Sequence, residues 1–136
     1  MLQNEAEPLV RLKEELDFVG MYVDLLQVRF ADGFTVRREI DGQALMRSVV
    51  PCSIQLLIEN AIKHNVVDVS SPLEIRITVS ADSVTVTNNL RPKLSASASS
   101  THVGLNYIRQ QYVDLADRSI AICRTETEYR VTLPLL

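Results

Sequence analysis

The chain is expected to fold as one α+β domain of two layers, a mixed and mostly antiparallel sheet with its helices gathered on one face. Three observations predict it. Apolar residues recur at steps of three and four in some stretches and at steps of two in others, so helices and strands are both present. Several of the alternating stretches are neighbours joined by short polar turns, which makes hairpins. Helical and strand patterns interleave along the chain, with no internal repeat. At 136 residues the chain is long enough for one core.

Each element has its own signal. Leu9, Leu12, Leu16, Val19, Val23, Leu26 and Phe30 form a heptad stripe on an N-terminal helix, with Pro8 at its start. Such a helix is roughly 33 Å long. Its stripe either packs on its own domain or forms a dimer seam. Asp32-Gly33 ends it, and Phe34 to Ile40 alternates as a strand that turns at Asp41-Gly42. Pro51 and Ser53, a candidate N-cap, precede a second helix with Ile54, Leu57, Ile58, Ala61 and Ile62 on one side. Leu73, Ile75, Ile77 and Val79 alternate with polar residues, and Val84 and Val86 do so after the turn Ala81-Asp82-Ser83. Residues 91–101 have no periodicity and read as a polar loop. A third helix is expected from Gly104 to about Ala116, and a last hairpin from Ser119 to Leu135.

Composition narrows the function. With 46% hydrophobic and 23% charged residues the chain is an ordinary globular protein. A net charge of -3 argues against nucleic acid or an anionic membrane surface as partner, and the absence of Trp gives no stacking platform. No apolar run reaches the ~20 residues that span a bilayer. Cys52 and Cys123 match no metal or redox spacing and are expected as free, buried thiols in a reducing cytoplasm.

The stretch Gln55-Leu-Leu-Ile-Glu59-Asn60-Ala-Ile-Lys63-His64-Asn65 carries the chemistry. Helical spacing brings Asn60, Lys63 and His64 to one polar face beside the apolar stripe. An amide oxygen can ligate a hard cation without neutralising it, and an ammonium meets phosphate oxygens as a point charge. The group therefore suits a metal-bound polyphosphate. A plain solvated face would carry the same residues. Asn is also a poor helix former, so its place mid-helix asks for a reason.

Taken in order, the Glu59-Asn60-Ala-Ile-Lys63-His64 helix, a hairpin ending in Asn88-Asn89, a polar loop, and Val103-Gly104-Leu105 opening a helix resemble a known family. It is the ATP-binding catalytic domain of LytS-type sensor histidine kinases, within the GHKL ATPases. Leu12 to Leu16 through Tyr22, then Val28-Arg29-Phe30, is similar to that family's lead-in, and Tyr129 to Leu135 to its last strand. The resemblance implies a Bergerat-type sandwich with residues 1–32 as a lead-in helix from a missing dimerisation and phosphoacceptor region, and 33–136 as the ATP-binding domain. It implies ATP and Mg²⁺ as cofactors, with Asn60 on the metal. Lys63, His64, Asn88, Lys93, Thr101, Gly104 and Leu105 would line the nucleotide, the loop acting as a lid. Glu59 takes the place of an acidic general base, where it would activate or position the acceptor, or remain a solvated glutamate. The implied reaction moves the γ-phosphoryl of ATP to a histidine outside this chain, since neither His64 nor His102 has the acceptor context. The implied partners are the upstream region of the same protein, a second copy in a homodimer, and a response regulator. The implied setting is the cytoplasmic side of a membrane-anchored bacterial parent.

Several residues depart from the family pattern. Asn88 stands where an adenine-reading aspartate is usual, and offers a neutral, weaker acceptor. Leu90 replaces a glycine that allows close approach. His102 stands at another glycine position, and Tyr107 where Asn is frequent. Gly104 keeps the free amides and positive dipole end of a helix start. Two rival readings follow: a degenerate domain that has lost ATP and serves as a docking scaffold, and a GHKL serine kinase of the anti-sigma type.

Overall fold

The computed structural model describes residues 9–91 and 103–136. Among them the elements run β1 Val10–Arg11, α1 Leu12–Phe30, β2 Phe34–Ile40, β3 Ser48–Val49, α2 Ser53–His64, β4 Leu73–Val79, β5 Ser83–Asn89, α3 Val103–Ala116, β6 Ala121–Arg124 and β7 Glu128–Pro134. The main sheet has the order β2-β4-β5-β7-β6. Only β2 and β4 pair in parallel, because the crossover between them carries α2; the other pairs are antiparallel. This is the two-layer, mostly antiparallel α+β architecture expected from the sequence.

Alternation puts Leu73, Ile75, Ile77, Val79, Val84, Val86, Val131 and Leu133 on the helix side of the sheet, all buried. They share one core with Leu12, Leu16, Val19 and Val23 of α1, Ile54, Leu57, Ile58 and Ala61 of α2, and Leu105, Ile108 and Tyr112 of α3. The heptad stripe of α1 thus packs inside its own domain. Tyr112 is fully buried, and its hydroxyl accepts from the Val50 amide at 3.3 Å and lies 3.3 Å from Ser53 Oγ. That contact ties α3 to the base of α2.

Some local expectations are corrected. Helix α1 begins at Leu12 and not near Pro8, because Val10 and Arg11 pair with Val49 and Ser48. The first amides of the helix are then met by the chain ahead of β3, Leu12 donating to Arg47 O at 2.7 Å and Lys13 to Leu45 O at 3.0 Å. Ser53 is not the cap of α2: Cys52 holds that position in a left-handed conformation, φ 65°. The capping acceptor comes from another helix. Glu15 of α1, buried, accepts from the amides of Cys52 at 2.9 Å, Ile54 at 3.1 Å and Gln55 at 3.4 Å. Cys52 and Cys123 are free but exposed, not buried, since one sits at a helix entry and the other on a four-residue strand at the sheet edge.

The far end of α2 is latched as firmly as its start. Asn65, buried, donates from Nδ2 to Ala61 O at 2.8 Å and accepts from the Arg91 amide at 2.8 Å. The Val66 amide donates to Arg91 O at 2.7 Å. Together these bonds hold the chain leaving β5 against the last turn of α2. Removing a buried side chain that makes two hydrogen bonds leaves partners unsatisfied, at about 1–3 kcal/mol each. Asn65→Ala is therefore expected to lose about 2–3 kcal/mol in urea unfolding, and full stability in that variant would rule the latch out.

Candidate functional site

The polar residues of α2 divide between its two neighbours. Asn60 points toward α3: a Cβ added at Gly104 would lie 3.7 Å from Asn60 Oδ1 and 3.8 Å from Nδ2. Glycine at the start of α3 thus keeps the backbone close to the carboxamide with nothing between. The Asn60 side chain is half-buried and makes no hydrogen bond among the described residues. Its oxygen and amide both remain available. Glu59 and Lys63 are exposed and face the other way, lining an open groove of about 290 Å³ with Tyr22, Leu26, Arg29 and Phe30 of α1 and Ile62. Burial first, and then the Glu59 carboxylate, raise the Tyr22 hydroxyl above the ordinary tyrosine range. His64, half-buried, closes the helix one turn beyond Asn60.

Asn88 shares the inward face of β5 with Val84 and Val86 and is buried opposite Ile75 and Tyr129. Its Nδ2 donates to Asn89 O at 2.9 Å, which leaves Oδ1 as an acceptor. Asn89 serves the fold instead, accepting from the Glu74 amide at 2.7 Å. Leu90 donates its amide to Thr127 O at 2.8 Å and is not among the residues with positive φ. No glycine-like backbone is adopted there, so the leucine is accommodated as ordinary extended chain, half-buried.

Leu105 is buried in the core, so its side chain cannot line a nucleotide and only its backbone amide, in the first turn of α3, could be offered to one. Lys93, Thr101 and His102 lie outside the described residues. Among the described residues no three His, Cys, Asp or Glu side chains gather to hold a metal ion. A magnesium ion that takes phosphate oxygens and waters needs only one or two protein ligands, and one carboxamide oxygen fits that requirement. Residues 59–64 are close in sequence but separate in space: Asn60 faces α3 and Glu59 faces α1, which the motif did not reveal. Asn65 was likewise missed, though a polar residue four positions after buried Ala61 was a readable signal of a buried partner.

No family model matches the chain. It is 38% identical over 76 residues to the sensor protein LytS of Staphylococcus haemolyticus, a match covering 50% of this chain and 13% of that protein. To LytS of Staphylococcus saprophyticus it is 41% identical over 63 residues, 46% of this chain and 11% of the relative. Among solved structures, the nucleotide-free catalytic domain of histidine kinase ThkA superposes with TM-score 0.65 at 18% identity, covering 93% of both chains. The cytoplasmic segment of histidine kinase QseC gives 0.64 at 15%, covering 94% of this chain and 76% of that one. The fold is that of a histidine kinase catalytic domain.

About half of this histidine kinase-like chain is homologous to LytS sensor proteins, though it spans only about an eighth of their length. Within the histidine kinase fold, the Asn60–Gly104 contact lies where the second helix meets the start of the third. No helix among the described residues is long and apolar enough to cross a membrane.

Proposed function

We propose that this chain is the ATP-binding catalytic domain of a sensor histidine kinase, passing the γ-phosphoryl of ATP to a histidine outside it. One observation carries the reading: a carboxamide with no hydrogen bond among the described residues stands on α2 directly opposite a glycine helix start. The open amides of α3 attract anionic oxygens, and Asn60 supplies the neutral oxygen a divalent ion needs. Lys63 is exposed on a flexible stem one turn away and can swing from its groove to the phosphate chain. Asn88 offers the buried acceptor for the adenine amino group. Magnesium, when bound, would neutralise phosphate charge and align the terminal phosphoryl group.

Glu59 faces α1, so its role in this reading is to orient an incoming acceptor and not to touch the Asn60 pocket. The acceptor belongs to an upstream dimerisation and phosphoacceptor region for which residues 1–32 are the lead-in. The parent is then a membrane-anchored bacterial homodimer whose catalytic part works in the cytoplasm and serves a response regulator. The 136-residue chain alone is expected to bind nucleotide and not to autophosphorylate.

A docking scaffold without ATP is the competing reading, favoured by the ordinary backbone at Leu90 and the neutral Asn88. Titration with a fluorescent ATP analogue, with and without Mg²⁺, separates the two. Saturable, Mg²⁺-dependent binding is expected, and none at millimolar nucleotide would favour the scaffold. Asn88→Asp sharpens the test. A charged acceptor for adenine is expected to tighten binding about tenfold. The same substitution buries a carboxylate against Asn89 O and is expected to lower the melting temperature without nucleotide. Weaker binding in that variant would take Asn88 out of the adenine pocket.

A further inference from the structure

The start of α2 has no capping group of its own. Ser53 turns its hydroxyl inward and donates to Val50 O at 2.7 Å, and its amide is spent on the same oxygen at 3.2 Å. A hydroxyl has one proton, so the buried Tyr112 of α3 donates its own to Ser53 Oγ at 3.3 Å. The Leu56 amide closes the first intrahelical bond, to Cys52 O at 2.9 Å. What remains are the amides of Cys52, Ile54 and Gln55, and all three go to Glu15 of α1. Among the described residues, these are the only hydrogen bonds that join α1 to α2 and its cap.

The same end of α2 is the pivot of a helix pair. Ser53 meets Tyr112 there. Further along α2 Asn60 meets Gly104, which lies back toward the start of α3, so the two helices run antiparallel. The polar junction of Glu15, Ser53 and Tyr112 closes one end of the pair. The Asn60–Gly104 gap lies at the other, roughly 10 Å away at the rise of an α-helix. No hydrogen bond of the Asn60 side chain holds that gap among the described residues. Over this length a tilt of about 5° at the junction moves Asn60 by about 1 Å. Magnesium demands near-ideal ligand geometry at about 2.1 Å, so a shift of that size removes the ligand.

We propose that Glu15 is a positioning residue for the candidate nucleotide site. By fixing the first turn of α2 it sets Asn60 opposite Gly104, and it makes that placement depend on α1. For nucleotide this rests on the function proposed above, whereas the coupling from Glu15 to Asn60 does not. Without the carboxylate three amides lose their acceptor together, and the helix start turns toward water and carries α2 with it. A displacement of α1 acts in the same way. The hold on a magnesium–nucleotide complex therefore follows how α1 is seated, and bound nucleotide seats α1 more firmly in return.

Two measurements on the 136-residue chain test this, both made well below the melting transition of each variant. In the nucleotide-free domain, Glu15→Ala is expected to shift the NMR resonances of the Asn60 carboxamide and the Gly104 amide. Those shifts should exceed the ones at Thr85 and Thr132, a pair on the sheet face away from the helices. Glu15→Gln keeps one acceptor oxygen and is expected to shift them less. Resonances at Asn60 and Gly104 that stay in place overturn the coupling, whatever binds. In titrations with ATP, Glu15→Ala is expected to weaken binding about tenfold with Mg²⁺ and less than about twofold with EDTA, with Glu15→Gln in between. A purely structural cap would lower the melting temperature and leave the ratio of the two affinities unmoved, and that result overturns the positioning role. A wild-type chain that binds no nucleotide, while Glu15→Ala still displaces both resonances, removes the ATP reading and upholds Glu15 as the link from α1 to the Asn60–Gly104 gap.

Discussion

Replacing Asn60 with alanine is expected to remove Mg²⁺-dependent nucleotide binding and leave the domain folded. The loss of one charge-assisted ligand oxygen is worth about 1.5–3 kcal/mol, so the dissociation constant for the Mg²⁺ complex rises about 10- to 100-fold. Stability should not fall with it. The carboxamide makes no hydrogen bond among the described residues, so truncation orphans no partner, and alanine is the better helix former. Calorimetric titration of ATP with Mg²⁺ and with EDTA, beside a thermal melt, reads both quantities. Unchanged affinity would mean that the pocket opposite Gly104 is not the nucleotide site.

The second large effect falls on the fold. Glu15→Ala is expected to cost about 3 kcal/mol, or about 10 °C in melting temperature, because the three amides at the start of α2 lose their acceptor together. The same carboxyl gives a pH signature. Burial raises its pKa above the ordinary carboxylate value, and the amides of Cys52, Gln55 and Ile54 pull it part of the way back. As pH rises through the window between the two values, the unfolded chain loses this proton before the folded one does. The Glu15 contribution is therefore greatest below the window, declines across it and is flat above. Glu15→Gln cannot ionise, so the stability of wild type relative to that variant is expected to decline with pH across the same window. An increase would mean that the amide donors outweigh burial.

Much of this architecture is legible in the sequence because it follows from period alone. The alternation of Leu73 to Val79 with its turn before Val84, and the three- and four-step spacing of Ile54 to Ile62, each admit one element type and one buried face. The same spacing made the Leu9–Phe30 stripe readable as helical, yet it could not say what the stripe covered. Two stripes are present on α1, and only packing revealed that Leu12, Leu16, Val19 and Val23 face inward while Phe18, Met21, Leu25 and Val28 face out. The candidate site divides in the same way. Motif order pointed to Asn60 and Gly104, residues far apart in the chain, but their approach across α2 and α3 is a tertiary fact.

The sequence by itself determined which segments become helices and strands, and which faces of them are apolar, since side-chain direction is a local consequence of backbone geometry. It also named the carboxamide and the glycine at issue. Only the tertiary structure decided that Glu15 caps a helix 37 residues further on, that Asn65 latches Arg91, and that Glu59 and Asn60 turn to different neighbours. Those pairings depend on distances between separate elements, which close packing sets and local spacing does not.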